Sequence, residues 1–270
     1  MKKEAVYDAA LRIEAYHFEG TAQPFPNHFH EYYVVGLMEA GERVLSCKNQ
    51  TYRIAQGDLL LFNPGDSHAC VQNGGGTLDY RAFNIPTEVM LDLAEEATGR
   101  RALPGFSRCA VPGGEAADCL RALHELVLQR SGGFGKEEKL LLLTALLIQA
   151  WGQPFERCVP ECREELERAC SFMERHYAER ISLEQICRCA GLSKSALLRA
   201  FAREKGVTPY SYLENIRIAR ARSLLEQGVP PAEAALRTGF SDQSHFTNCF
   251  SRFIGLPPGV YRGIFGGGIQ

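Results

Sequence analysis

Gln243, Ser244, Thr247 and Asn248 gather short amides and hydroxyls on one side of a predicted helix. Phe246, Cys249, Phe250 and Phe253 occupy its other side, at the i, i+3, i+4, i+7 spacing of a buried helical face. A polar face with few charges suits reading base edges. Gln and Asn can pair with adenine, and Ser and Thr are adaptable. Ser241 is placed to cap the helix, and Asp242 puts negative charge at the positive end of its dipole. Upstream, Lys194, Ser195 and Arg199 lie on the outer face of a second predicted helix, SKSALLRAFAREKG. Its inner face is Ala196, Leu197, Ala200 and Phe201. Arg199 is expected to read a base, and Lys194, near the helix N-terminus, to contact phosphate.

A different chemistry stands near the N-terminus. Alternation places His28, His30 and Tyr32 on one face of a strand. Arg43 and Arg81 lie on flanking strands, and parity alone does not decide which way they face. Imidazoles, a phenol and a guanidinium suit a small polar or anionic metabolite held by hydrogen bonds within apolar walls. Imidazole clusters also suit iron, zinc or copper.

These side chains need elements to position them. Pro230 and Pro231 start a short helix that Gly239 ends, with Phe240 in the corner before the polar-faced helix. Helix, glycine turn, helix is the helix-turn-helix arrangement. Ser182-Leu183-Glu184-Gln185 is a capping box, and Gly191 turns the chain into the helix of Lys194 and Arg199, a second such arrangement. Thr208-Pro209 opens a long helix running to Gly228. Its roughly 28 Å approaches the ~34 Å between major-groove entries on one face of B-DNA. The run GFSDQSHFTNCFSRFIGLPPGVYR closely resembles the signature of the AraC/XylS family of bacterial transcription regulators. Asn248 and Cys249 depart from it, standing where the family often has a basic residue followed by an apolar one. The resemblance implies promoter DNA and RNA polymerase as partners.

From residue 5 to 86, short runs rich in Val, Leu, Tyr and Phe break at Ala40-Gly41, Gln56-Gly57-Asp58 and Asn63-Pro64-Gly65-Asp66. That pattern predicts an antiparallel sandwich or barrel. His28-Phe29-His30 resembles the first motif of the cupin barrel, and GDLLLFNPGDSH, ending in His68, resembles the second. A cupin barrel would bring His68 to His28 and His30. The cupin metal pattern also wants a glutamate a few residues after the second histidine. Val34 and Val35 stand there, with Glu31 and Glu39 out of register. A metal on His28, His30 and His68, a polar effector pocket and satisfied structural histidines remain three readings, and the pocket is favoured, with no cofactor. In the resembled family such barrels generally bind an effector without a catalytic metal.

Residues 114–130 and 136–151 are predicted helices, the second apolar almost all round and so buried on several sides. The resemblance implies a homodimer through this pair. WGQPFERCVPEC reads as a linker. The expected fold is α+β and multidomain. Residues 1–155 form a cupin-like antiparallel β-barrel with two following helices, 156–162 the linker, and 163–263 an all-α domain with two helix-turn-helix motifs.

Composition agrees with a soluble protein: 45% hydrophobic and 23% charged residues, and no apolar run long enough to span a bilayer. The start lacks a secretory core, which predicts a cytoplasmic chain. Residues 161–262 hold 15 Lys+Arg against 12 Asp+Glu, while the rest is acidic, so the C-terminal part leans toward phosphate. Ten cysteines in a reducing cytosol are expected to be free thiols. A zinc or redox site among Cys158, Cys162, Cys170, Cys187 and Cys189 is the lesser alternative.

No nucleophile–base pair or phosphate loop stands out, so the expected function is a sequence-specific regulator responding to an effector, not an enzyme. Two rivals differ in what they require. A metal-dependent cupin enzyme with a helical appendage would hold metal and consume substrate. An architectural DNA-binding protein would ignore every metabolite.

Overall fold

The computed structural model describes residues 2–72, 74, 76–130, 135–154 and 163–265. The chain forms two compact units. One holds residues 1–24, 30–66 and 70–157. The other holds 158–270 with two short pieces from the N-terminal half, 25–29 and 67–69. The expected linker, 156–162, lies outside the described residues, as do Cys158 and Cys162.

The first unit is built on a six-stranded antiparallel sheet. Its strands are β1 (Lys2–Asp8), β2 (Ile13–Thr21), β4 (Tyr33–Ala40), β7 (Asp58–Phe62), β9 (Leu78–Ile85) and β11 (Ala110–Pro112), in the order β1-β2-β9-β4-β7-β11. A four-stranded sheet follows the order β3-β8-β5-β6, from β3 (Phe25–His28), β8 (His68–Gln72), β5 (Arg43–Cys47) and β6 (Gln50–Ile54). Two short strands, β10 (Pro104–Phe106) and β12 (Gly152–Pro154), pair with each other. The predicted breaks at Gly41, Gly57 and Gly65 all separate strands. Gly41 has φ 88°, and a Cβ there would lie 2.0 Å from the Thr77 carbonyl oxygen, so that turn requires glycine. Lys48 and Asn49, both at positive φ, make the tight turn between β5 and β6.

Alternation decides what each face of the large sheet carries. Ile13, Ala15, Val35, Leu37, Leu59, Leu61, Phe83 and Ile85 join one hydrophobic core. That core is closed by α1 (Thr87–Thr98), α2 (Gly114–Leu128) and α3 (Gly135–Trp151). Leu120, Leu123 and Val127 of α2 and Leu140, Leu143 and Leu147 of α3 are its helical side. The stripe read from the sequence of α2 is therefore the buried one. α3 buries only one side: Leu142 stays 45% exposed, and Leu141, Ala145 and Ile148 are half-buried.

Cys47 and Cys109 form a disulfide. This corrects the expectation that the cysteines are all free. Cys70, Cys119, Cys170, Cys187, Cys189 and Cys249 are thiols. The pairing brings together positions 62 residues apart, and no local spacing signals it.

The second unit is helical: α4 (Arg163–His176), α5 (Leu183–Ala190), α6 (Lys194–Glu204), α7 (Pro209–Glu226), α8 (Pro231–Arg237), α9 (Gln243–Ile254) and α10 (Pro258–Gly263). Ser182 caps α5 in a full capping box with Gln185, and Gly191 ends it in a left-handed conformation. Ser193 caps α6 and Thr208 caps α7. α4 to α7 share one core, including Leu166, Met173, Ile186, Leu197, Phe201 and Tyr212. The aromatic rings of the second motif pack in a chain. Ring centroids are 5.1 Å apart for Phe240–Phe246, 5.6 Å for Phe246–Phe250 and 5.5 Å for Phe250–Tyr261. Arg222 Nε donates to the Tyr261 hydroxyl at 2.6 Å, which in turn donates to Glu226 at 2.7 Å, tying α10 to α7.

Candidate functional site

The polar face of α9 follows from its buried one. Phe246, Cys249, Phe250 and Phe253 are all buried, so helical periodicity turns Gln243, Ser244 and Asn248 outward, where they are exposed, with Thr247 half-buried beside them. Asp242, not Ser241, caps the helix. Its carboxylate accepts the His245 N–H at 2.7 Å, and the Ser241 hydroxyl donates to it at 3.3 Å. The sequence offered two adjacent residues of good capping type, and the backbone selects the one in extended conformation next to the first turn. The His245 hydrogen bond holds the Asp242 carboxyl below its ordinary range. Gly239 takes φ 80°, and a Cβ there would lie 2.7 Å from the Ala178 carbonyl oxygen. α8 and α9 thus meet at a corner only glycine can make.

The first motif repeats the arrangement. Leu197, Ala200 and Phe201 are buried, and Lys194, Ser195 and Arg199 are exposed on the outer side of α6. α7, with 18 residues, spans about 27 Å and joins the two motifs. Behind the α9 face, Glu214 of α7 is buried, with Arg252 of α9 at 3.6 Å and the Cys249 thiol donating to it at 3.7 Å. Burial pushes the Cys249 thiol up to about 12, which makes it an inert packing group.

The N-terminal candidates are placed differently from the strand-parity expectation. β3 ends at His28, so His30 and Tyr32 are not on that strand. They lie in the bend before β4, where their rings stack at 4.7 Å. The rings of His28 and His68 are 4.4 Å apart, and both residues are buried. The Nδ1–H of His28 donates to the Pro26 carbonyl at 2.6 Å, which leaves Nε2 as an acceptor. Burial lowers the His28 imidazole to about 4, so it is neutral at physiological pH.

The two arginines have other partners. Arg43 is fully buried and donates to the carbonyls of Thr21 at 2.6 Å, Gly76 at 3.0 Å and Glu42 at 3.3 Å. Arg81 has the parity of Phe83 and Ile85, the helix-covered face, and pairs with Glu39 at 2.9 Å.

The opposite face of the large sheet carries polar residues that the sequence reading did not single out. Glu14, Tyr16 and Asn84 are buried there. Glu14 accepts from the Tyr16 hydroxyl at 3.0 Å and from Asn84 Nδ2 at 2.9 Å. The Tyr80 ring lies over Gly36, where a Cβ would meet its hydroxyl oxygen at 2.0 Å. Burial pushes the Tyr80 phenol up, and neighbouring Cys70, a β8 residue, adds to the shift. The signal was present in IEAYHF, where Glu14 and Tyr16 alternate with Ile13 and Ala15 inside a strand.

Residues 11–147 match the family model of the AraC-like ligand binding domain, and residues 186–264 match a helix-turn-helix domain. The chain is 48% identical over 239 residues to the uncharacterized HTH-type transcriptional regulator YbfI of Bacillus subtilis (strain 168), covering 88% of this chain and 87% of that protein. It is 23% identical over 247 residues to the HTH-type transcriptional activator RhaS of Escherichia coli, covering 87% and 86%. Among solved structures, ToxT from Vibrio cholerae shares the fold, with a TM-score of 0.57 at 17% identity over 94% of this chain and 98% of that one. A β-rich ligand-binding domain followed by a helical domain with two helix-turn-helix motifs, matched over both parts, leaves one assignment. The chain belongs to the AraC family, as a DNA-binding transcriptional regulator that answers to a small-molecule effector and is not an enzyme.

Proposed function

We propose that the chain acts as a homodimeric one-component regulator. α6 and α9 enter successive major grooves of promoter DNA, and RNA polymerase is the final partner. Arg199, Gln243, Ser244, Thr247 and Asn248 read bases, while Lys194 and Ser195 set register on the phosphates. The observation that carries this reading is the exposed polar face of α9, held rigid by four buried residues and a capped N-terminus. Rigid presentation on a helix is what direct readout requires.

The effector, a small polar or anionic metabolite, is proposed to be recognised by His28, His30, Tyr32 and His68, the residues expected from the sequence. The His28 imidazole is neutral, and a neutral imidazole suits hydroxyl or carbonyl groups. Arg43 and Arg81 act as supports, since each is already bonded to protein groups. This reading needs no resident metal. Metal analysis of the purified protein checks that clause, and one equivalent lost in His30→Ala and His68→Ala together would replace it with a metal site.

Dimerisation is proposed through α3, whose outer residues Leu141, Leu142, Ala145 and Ile148 stay partly uncovered. Exposed apolar residues in such a row mark an interaction face. A thermal-shift screen of metabolites on the full chain tests the effector clause. A true ligand raises the melting temperature by mass action, and His68→Ala should abolish that rise while keeping DNA binding. A ligand response that survives both His30→Ala and His68→Ala would move the pocket elsewhere.

A further inference from the structure

The Cys47–Cys109 pair has no role in the reading above, and its surroundings are unusual for an inert cross-link. A protein that works on DNA meets a reducing compartment, where disulfides are generally transient or redox-sensing. Six other described cysteines of this chain are thiols, so the pairing is selective. Both cysteines are buried, while Ser46 and Lys48 next to Cys47 and Ser107 and Arg108 next to Cys109 are exposed. Lys48 places its ammonium 2.9 Å from Asp66 and 2.8 Å from the Phe106 carbonyl. The Asp66 carboxylate lies within 4.8 Å of both sulfurs.

The position of the cross-link gives it leverage. Cys47 ends β5 in the four-stranded sheet. Cys109 stands just before β11, at the edge of the six-stranded one. The same region is held by a small set of bonds. Asn63 accepts the Phe106 N–H at 2.7 Å and donates to the Phe106 carbonyl and to Asp66, each at 2.8 Å. The Leu61 N–H donates to the Cys109 carbonyl at 3.0 Å. The disulfide therefore locks the 104–112 segment and the 63–66 turn into one rigid corner of the ligand-binding unit.

We propose that Cys47 and Cys109 are a reversible modification site, oxidised by a hydroperoxide and reduced by a cellular dithiol. In the oxidation, one thiolate attacks the terminal peroxide oxygen and becomes a sulfenic acid, and the O–O bond breaks to release an alcohol or water. The second thiolate attacks the sulfenic sulfur, forming the S–S bond and expelling water after protonation. Two thiols and one hydroperoxide thus give one disulfide, one water and one alcohol or second water. A dithiol reverses it by two exchange steps, leaving as its own cyclic disulfide. Oxidation stiffens the corner and reduction loosens it, giving the sensory unit an input besides its effector.

The test uses the full chain. Samples equilibrated in cytosol-like glutathione buffer, in dithiothreitol and after hydrogen peroxide are trapped by differential alkylation and mapped by mass spectrometry. Hydrogen exchange is followed in parallel. The expected result is a pair reduced by glutathione, oxidised by peroxide, and amide exchange in residues 104–112 and 63–66 about tenfold faster on reduction. The variant Cys47→Ala/Cys109→Ala should exchange like reduced wild type and ignore peroxide. If that variant does not fold, the wild-type comparison alone decides. A disulfide that persists in the glutathione buffer, thiols that peroxide leaves unpaired, or equal exchange in both states overturns the proposal.

Discussion

The Asp242 carboxylate accepts the His245 N–H at 2.7 Å and so fixes the first turn of α9, the turn that presents Gln243 and Ser244. Because the carboxyl titrates below its usual range when folded, its cap is fully present above the ordinary carboxylate pKa and fades as pH falls through the folded value. Asp242→Ala should lower the melting temperature and weaken DNA binding, while Asp242→Asn keeps most of both. Equal loss in the two variants would show that the cap geometry is not what matters there.

Gly239 offers a sharper case. Its positive φ disfavours any L side chain by about 1–2 kcal/mol, and the close Ala178 carbonyl adds a clash. Gly239→Ala should therefore destabilise the second unit by more than that conformational cost, measured by urea unfolding. A neutral effect would mean that the corner between α8 and α9 adapts freely.

His124 supplies a pH dependence for the first unit. Its Nε2–H donates to the Tyr16 carbonyl at 2.9 Å, and burial lowers its pKa to about 4. Between the unfolded value of 6.5 and about 4, the unfolded chain binds the proton and the folded one does not. Stability therefore rises with pH across that window and is lost as pH falls through it. His124→Gln should flatten the profile of melting temperature between pH 4 and 6.5. An unchanged slope would assign the effect to other groups of that unit, His17 foremost, since burial lowers it as well.

The outer row of α3 makes the assembly testable. Leu142→Arg should weaken self-association of the full chain by about tenfold or more in sedimentation, because it sets a charge into a buried apolar contact. Wild-type protein that sediments as a monomer at micromolar concentration removes α3 as an interface.

Some of this was legible in the sequence because it is local. Phe246, Cys249, Phe250 and Phe253 announce the buried face of α9, and the residues between them are then outward by geometry. Ser182 and Gln185 announce their capping box in the same way. What escaped is non-local or very short. β10, β11 and β12 have three residues each, too few for a period to show. The Cys47–Cys109 bond depends on two sheets meeting. His30 was expected on a strand, but that strand stops at His28, and alternation cannot reveal where a strand ends. Glu14 and Asn84 were passed over because a carboxylate and an amide in a strand look solvent-facing until both faces of the sheet are known to be covered.

The central claim, direct reading of bases by α6 and α9, is tested by one measurement. An operator is selected from random DNA with the purified chain, and the affinities of wild type, Arg199→Ala, Gln243→Ala and Asn248→Ala are then determined on it and on every single-base variant. The account predicts that each substitution costs about 1–3 kcal/mol and flattens discrimination at its own few base pairs, leaving the others unchanged. Equal loss on every variant, or no loss at all, would contradict it.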